Sequence, residues 1–547
     1  MFNPVKVMDI ELSHPIRTIE NLSGYGFLKG LVRLHGEPIG YVTVPVINDQ
    51  CTATAIGKVI LEKHNKAIIY HLLRDKLAQS PQPGGLKIAD LLAVQHPVYK
   101  GPQPLVTVAV CTRDRTADLA RCLDSLNRLD YTNLDILVVD NAPDTGATER
   151  LVRTTYPNVR YTCEPRPGLD WARNRAIIEA RGEIIAYTDD DVVVDPGWIK
   201  VLAEVFSENT EVMGVTGLVV PYELETEAQN FFELLGGFGR GFKHKWYQIH
   251  QEIKKSAASL YGLSWKFGTG ANMAFRRCLF NQIGYFDPAL DVGTVTNGGG
   301  DLEMFFRVMK EGYTMVYEPG ALVYHCHRRD YKQLKKQING WGTGFCAYLI
   351  RSALAYPDER FSFLYIGLRW IWRQTRGLLN SFVRHSVYPR DLILAELRGF
   401  FAGPVRYKMA LRTAAKIKRN FGPLIPTTST KESLLRKTFL NYHYPVAERT
   451  VDLNNPLHAL TDVMDSSIVR VSVTRDVNIL GSVDIANYYQ PISVSRLREA
   501  VVENLSFKLI ESAQNASMDS IQASVLEVLN FRFCPAEHIL SKQDTQN

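Results

Sequence analysis

The chain has 547 residues, 46% apolar and 22% charged, a composition that supplies a sizeable core, excludes wholesale disorder and leaves room for roughly three or four domains. The net charge of +6 is unevenly spread: residues 328–420 hold 19 Lys/Arg against 5 Asp/Glu, so that the remainder carries −8, and such a basic block is expected to meet phosphates, on nucleic acid or on anionic lipid. No run of ~18 apolar residues occurs, which argues against a transmembrane helix. The start, "MFNPVKVMDIELSHPIR", lacks the charged leader and apolar stretch of a secretory signal. The eight cysteines are scattered with no C-x-x-C pair, which fits neither a cysteine zinc site nor a disulfide framework and points to a reducing, cytosolic compartment.

In chain order, residues 1–101 read as a small α+β domain ending in a loop rich in Pro and Gly. Residues 102–330 alternate strands with helices. "PLVTVAVCT", "LDILVVDN" and "GEIIAYTDD" have the texture of buried strands; "TADLARCLDSLNRL", "DWARNRAIIEAR" and "PGWIKVLAEVF" have helical spacing, the last with Pro196 in its first turn. That alternation predicts an α/β domain with a doubly wound, largely parallel sheet. Residues 331–426 read as a basic helical region rich in Trp, Tyr and Phe. After the linker-like "NFGPLIPTTST", residues 427–547 read as a second small α+β domain.

The two ends resemble each other. "VRLHGEPIGYVTV" (32–44) and "VRVSVTRDVNILGSVDI" (469–485) both read as strand, turn, strand. Setting Gly40 against Gly481 also pairs Ile56 with Leu497, Ile60 with Val501, Glu62 with Glu503 and Ile69 with Ile510. Either a ββα unit is duplicated, or two unrelated hairpin–helix units align loosely; the sequence leaves both open.

Within the α/β region, "EIIAYTDDDVVVDPGW" (183–198) puts Asp189, Asp190 and Asp191 between two apolar runs. Two like charges ~4 Å apart repel by ~4 kcal/mol at an effective dielectric near 20, so a partner, a cation or a retained proton is required. On a continuing strand Asp189 and Asp191 share one face and Asp190 points the other way. Two oxygen donors on one side of a loop suit a hard divalent ion, Mg²⁺ or Mn²⁺, held together with substrate phosphates; an acidic solvated turn or a cap cluster before Pro196 is the competing explanation. Ligands of open α/β sheets gather beyond the carboxyl ends of the strands, where this cluster and Asp140 both fall.

The run of motifs "VTVAVCTRDR", "VVDNAPD", "EPRPGLDWARNRA", "YTDDDVVVDPGW", "GTGANMAFRR" and "GGGDLEMFFRVMKEGYTMVYEPGALVYHCHRRD" resembles the family-2 glycosyltransferases, in their order and spacing, over residues 102–330. The resemblance implies a GT-A type, doubly wound mixed sheet and a nucleotide-sugar donor. It implies that Asp140 hydrogen-bonds the nucleotide base, with Thr112, Arg113 and Arg115 in the loop beside it and Arg173 and Asn174 against the nucleotide. "YTDDD" matches the family's D-x-D signature, so Asp189 is expected at the ribose, Asp190 beside it among the donor contacts, and Asp191 on the metal. Asp301 aligns with the Asp of the family's Glu-Asp motif and is the expected general base, with Glu303 as its understudy. The residue before it is Gly300 where the family carries an acid; standing at a helix start, Asp301 would also suit an N-cap. His325 is the expected additional metal ligand, with His327 second; the alternative is an ordinary histidine pair at a strand end. Gly270 and Asn272 are expected on the acceptor side, or else in a simple turn.

"FSFLYIGLRWIWRQTRGLLNSFVRH" interleaves aromatic residues with Arg, as a helix does when it docks on an anionic bilayer. Packing of the aromatics on the catalytic sheet is the plainer alternative, and no nucleic-acid recognition module is visible. The expectation is therefore an inverting, metal-assisted glycosyltransferase in the cytoplasm, peripheral on the inner face of the plasma membrane. It would move a sugar to a glycan or lipid-linked hydroxyl, as in polysaccharide biosynthesis. A metal-dependent nucleotidyltransferase would release pyrophosphate instead, and a non-catalytic nucleotide-sugar-binding protein on the same fold would bind donor without turnover.

Overall fold

The computed structural model describes residues 2–79, 94–248, 262–383, 388–424, 446–475, 478–487 and 489–514. They form two compact units, residues 102–424 and the two chain ends together.

In the end unit, strands β1 (Val5–Glu11), β2 (Phe27–Leu34) and β3 (Glu37–Pro45) precede helix α1 (Ala53–Ala78). β1 pairs with β2 in parallel and β2 with β3 antiparallel. Thr52 caps α1 by accepting the backbone N–H of Ala55, which satisfies one of the donors a helix start leaves orphaned.

The second unit is built on a nine-stranded mixed sheet. Its elements are β4 (Val106–Thr112), α2 (Thr116–Leu126), β5 (Leu134–Asn141), α3 (Ala147–Thr155), β6 (Arg160–Glu164), α4 (Leu169–Glu179), β7 (Ile184–Asp189), β8 (Val192–Val194), α5 (Trp198–Glu208), β9 (Val212–Pro221), α6 (Glu227–Leu234), β10 (Lys245–Tyr247), β11 (Asn272–Arg276), α7 (Leu279–Ile283), α8 (Gly300–Lys310) and β12 (Thr314–His325). The order is β10-β12-β9-β11-β7-β4-β5-β6, with β8 paired to β12. β7, β4, β5 and β6 are parallel, whereas β11 runs antiparallel between β7 and β9. One face packs Leu119, Leu123, Trp198 and Leu202 of α2 and α5. The other packs Ala172, Ala176, Phe280 and Phe305 of α4, α7 and α8. Covering on both faces is why β4 and β7 read as unbroken apolar runs. The parallel strands end together, which brings Thr112, Asp140 and Asp189 to one edge.

Three long helices complete this unit: α9 (Tyr331–Ala355), α10 (Arg360–Val383) and α11 (Arg390–Phe421). Phe345, Tyr348, Phe363, Trp370 and Phe400 share a core with Phe306 of α8, so part of the aromatic content of the segment is packing. Glycines let the backbones touch. A Cβ at Gly342 would meet the Glu396 carbonyl, one at Gly399 the Asn339 carbonyl, and one at Gly344 the backbone of Gly298. The third contact ties α9 to the loop that enters α8. Among the described residues no helix is long and apolar enough to cross a membrane.

Strands β13 (Val446–Asp452), β14 (Ile468–Arg475) and β15 (Asn478–Ala486) and helix α12 (Val494–Gln514) return the chain to the end unit. Their pairings repeat those of β1–β3, parallel then antiparallel. Each element starts 441 residues after its counterpart, Val5 and Val446, Phe27 and Ile468, Glu37 and Asn478, Ala53 and Val494. Even the register irregularity after Val32 recurs after Val473, with Gly40 and Gly481 opposite those residues. A Cβ at Gly40 would strike the His64 ring and one at Gly481 would strike Leu505, so each glycine makes room for the helix that follows. Leu28, Val32, Ile56 and Ile69 lie in one core with Val469, Val473, Leu497 and Ile510. The greater part of the linker-like stretch after Asn420, and residues 515–547 of the C-terminal piece, lie outside the described residues.

Replacing Gly399 with Val should force α9 and α11 apart and destabilise this unit by about 1–3 kcal/mol, the usual scale of overpacking. Urea denaturation followed by tryptophan fluorescence measures it, and Gly377→Val, where a Cβ meets nothing, should cost clearly less.

Candidate active site

A cleft of ≈ 910 Å³ opens at the carboxyl edge of the sheet, lined among others by Thr112, Arg113, Arg115, Arg173, Asp189, Asp190, Asp191, Gly270, Asp301 and His325. The acidic triplet turns the corner from β7 into β8, and its charges are met one by one. Asp190 accepts from Thr112 Oγ1 at 2.7 Å and from Arg115 Nη1 at 2.5 Å. Asp191 accepts from Arg115 Nη2 at 3.0 Å, faces His325 Nε2 at 3.3 Å and lies 3.7 Å from Arg328. Burial would raise the Asp191 carboxyl, but His325 in its protonated form, with Arg115 and Arg328, holds it below the usual range. Asp189 has less help: burial and the neighbouring Asp191 push it up to about 7. Burial also raises Asp190 to about 6 against the pull of Arg115.

Ligand atoms of Asp189, Asp191 and His325 lie within 4.8 Å of one another. Two carboxylate oxygens and an imidazole suit Mn²⁺ or Mg²⁺. This is a candidate divalent-metal site. Burial drives His325 down to about 4, so the ring is neutral near pH 7 with a lone pair to offer. The His325 Nδ1 lies 3.1 Å from His327 Nδ1, and His327 Nε2 lies 3.0 Å from Glu233. A proton on His325 Nδ1 donated to His327, with His327 Nε2–H donated to Glu233, leaves His325 Nε2 free toward Asp191. His327 therefore sits behind His325, orienting it, and is not among the residues brought together at the metal cluster.

Asp301 stands in the first turn of α8, behind Gly299, whose φ of 99° suits glycine. Its two oxygens accept from the backbone N–H groups of Gly270 at 2.9 Å and Leu302 at 2.8 Å. Burial and the neighbouring Asp291 raise its carboxyl, with Arg173 opposing. Glu303 is not at the cleft: it is buried in an ion pair with Arg307 one turn along α8, which takes it out of contention as understudy base.

Other expected contacts divide. Arg173 lies between Asp170 and Asp291 beside Gly270, lining the cleft. Arg113 is exposed, 3.3 Å from Asp144. Asp140, at the end of β5, accepts from Tyr161 at 2.9 Å, and its Oδ1 has no partner within hydrogen-bonding geometry. Two residues go elsewhere. The Asn174 side chain spends its amide on the backbone of Phe286, N–H and carbonyl both. Asn272 is fully buried, bonded to Leu218, Ala321 and Trp198. The Asn174 amide is thus paired with backbone at both ends, and the Asn272 amide with two backbone carbonyls and the Trp198 indole N–H. The sequence reading did not pick out Asp291, Arg328, or the far wall of Trp265, Trp341, Trp370, Tyr388 and Glu396. Those side chains come from segments that meet only through the α9–α11 packing.

Residues 107–284 match the family described as Glycosyl transferase family 2. That match covers one segment, about a third of the chain. The chain is 24% identical over 190 residues to Glucosyl-dolichyl phosphate glucuronosyltransferase of Haloferax volcanii, covering 33% of this chain and 56% of that protein. It is also 24% identical over 229 residues to Succinoglycan biosynthesis protein ExoM of Rhizobium meliloti, covering 40% and 66%. Among solved structures it matches the mannosyltransferase PcManGT from Pyrobaculum calidifontis in complex with GDP-Man and Mn²⁺, at 18% identity and a TM-score of 0.32, over 68% of this chain and 88% of that one. The matches to the curated relatives span 24% to 66% of those proteins' own lengths.

A cation binds the deprotonated Asp189, so below the raised value of about 7 binding must expel a proton. Mn²⁺ affinity, read by electron paramagnetic resonance, should fall by up to about tenfold per pH unit from pH 7 downward. A flat profile between pH 5.5 and 8 would contradict the assignment.

Proposed function

We propose that the protein transfers a sugar from a nucleoside-diphosphate sugar to a hydroxyl of a glycan or lipid-linked acceptor, with inversion at the anomeric carbon. The observation that supports this most is that Asp191 and His325, on one wall of the cleft, face the same space as Asp301. Asp140, with an unspent buried oxygen, is the expected contact for the donor base, and Thr112, Arg113 and Arg115 continue that wall. Asp189, Asp191 and His325 would hold a divalent cation, which supplies neutralisation of the charge that develops on the leaving nucleoside diphosphate. Arg328, beside Asp191, adds a fixed positive charge at the same place. Asp301 accepts the acceptor's proton as the hydroxyl attacks. Two backbone N–H groups hold its carboxylate in place, and its raised pKa makes it a better base than a solvated Asp. One base-assisted displacement inverts the centre. Trp265, Trp341 and Trp370 offer flat apolar faces opposite, suited to the C–H faces of a sugar ring.

Asp191→Asn should abolish metal-dependent donor hydrolysis, which needs no known acceptor. Asp301→Asn should lower kcat by about 10²–10⁴ while leaving donor affinity within a few-fold. Release of pyrophosphate rather than a nucleoside diphosphate would favour a nucleotidyltransferase.

The acceptor is read as lipid-linked from the helical segment. Phe361, Leu364, Tyr365, Leu368 and Trp372 recur along one face of α10 and are exposed, Phe361 at 86% and Trp372 at 60%. Exposed Arg369, Arg373 and Arg376 lie beside them. Apolar side chains inserted at the acyl boundary with arginines at the headgroups describe a helix lying on an anionic bilayer, on the cytoplasmic side. Vesicles containing phosphatidylserine should sediment the protein at low salt, and replacing Phe361 and Leu368 with Glu should release it; equal binding by both proteins would contradict this surface. The terminal units are read as two copies of one motif, on their constant 441-residue step.

A further inference from the structure

In the end unit four side chains converge that the transferase chemistry does not use. His35 stands in the turn between β2 and β3, His71 and Asp75 lie one helical turn apart on α1, and His96 follows in the segment after it. One ligand atom from each lies within 4.8 Å of all the others. His35 Nδ1 is 2.7 Å from Asp75 Oδ2, His71 Nε2 is 3.2 Å from the same oxygen, and His96 Nδ1 is 3.3 Å from it. His71 Nε2 and His35 Nδ1 are 3.2 Å apart.

A tetrahedral ion with bonds of ~2.0–2.1 Å holds its ligands about 3.3 Å from one another, the spacing found here. Without an ion the arrangement is awkward. If the three ring nitrogens all donate to one carboxylate oxygen, two N–H groups are driven against each other; if they present lone pairs, the pairs repel each other and the carboxylate. Asp75 and His71 are almost fully buried, so water does not relieve either arrangement cheaply. A cation at the centre does.

We propose that this cluster is a structural Zn²⁺ site with three imidazoles and one carboxylate as ligands. The surroundings are built to serve it. Glu37 lies beyond two of the rings, 3.6 Å from His71 Nδ1 and 3.8 Å from His96 Nε2, where a carboxylate takes the proton-bearing nitrogen of a metal-bound imidazole. Arg74 holds that carboxylate at 2.5 Å, and its Nη2 also lies 3.2 Å from His71 Nδ1, a contact that has to loosen when metal on Nε2 leaves the proton on Nδ1. His35 and Gly36, at φ of +53° and +83°, are the two central residues of the turn between β2 and β3, the conformation such a hairpin turn requires. Glu11 keeps the turn there by accepting the backbone N–H groups of His35 and Gly36, both at 3.0 Å.

The 441-residue step sharpens the case. At that step the positions matching His35, Glu37 and His71 hold Asp476, Asn478 and Ser512, none of them an imidazole. The ligand set clamps the β2–β3 turn and the segment carrying His96 onto the end of α1. Scattered cysteines had argued only against a thiolate site; histidines spaced at 35, 71 and 96 have no local motif.

The full chain carrying Asp191→Asn, which removes the metal site of the cleft, should bind one Co²⁺ with the strong visible absorption of tetrahedral cobalt. Adding His71→Ala should abolish that absorption, and Zn²⁺ over chelator should raise the unfolding temperature of the parent by several degrees but not that of the His71→Ala chain. His96→Ala, at the more exposed ligand, serves if His71→Ala does not fold. The proposal is overturned if the Asp191→Asn chain shows no tetrahedral cobalt spectrum and no zinc-dependent shift, or if the spectrum survives loss of these histidines. Neither result depends on glycosyl transfer.

Discussion

Three adjacent carboxylates at the end of a buried strand are the constraint around which the catalytic unit is arranged. Their mutual repulsion is met by Arg115 between Asp190 and Asp191, by Thr112 on Asp190, and by Arg328 on Asp191, where His325 also stands. These partners come from the β4–α2 loop and from the end of β12 and beyond, and they meet the triplet only because the sheet places β4 beside β7 and β8 beside β12. What they leave least compensated is Asp189, which burial and Asp191 raise to about 7 against the pull of Arg173. A cation beside Asp189 and Asp191 would favour the charged form of both.

The opposite wall is set by backbone contact. Glycines in α9 and α11 let the helices touch, and Gly344 lies against Gly298 in the loop that leads to Asp301. The base is thus held from two directions: by the N–H of Gly270 and by a helix start pressed onto α9. The same packing brings Trp341 and Trp370 over the cleft and turns the apolar, arginine-flanked face of α10 outward. A segment that looks in sequence like a membrane-docking helix is both a wall of the cleft and an exposed surface.

Much of this was legible. The parallel strands announced themselves as buried apolar runs, and the order of the motifs was enough to suggest the family later matched by residues 107–284. The chain ends could be aligned on Gly40 and Gly481, and the same pair sits at the same register in both sheets. What escaped was side-chain direction. Glu303 and Asp301 are two residues apart, yet the helix turns one into an ion pair with Arg307 and the other toward the cleft. Asn174 and Asn272 sit in the right motifs, but Asn174 spends its amide on backbone and Asn272 on two carbonyls and the Trp198 indole. His327 shares a strand end with His325 and stands behind it. The antiparallel placement of β11 and the parallel strand that precedes each terminal hairpin were also invisible to local pattern, since both are set by long-range pairing.

The reading stands or falls on the acidic triplet as a grip for a cation bound to a diphosphate. A crystal of the full chain soaked with Mn²⁺ and a nucleoside diphosphate tests it most directly. The account predicts manganese bonded to Asp191 and His325 at about 2.0–2.3 Å, bridging to the diphosphate, with the nucleoside toward Asp140. An ion-free cleft, or a diphosphate held elsewhere with Asp189 and Asp191 still paired only to protein, would contradict it.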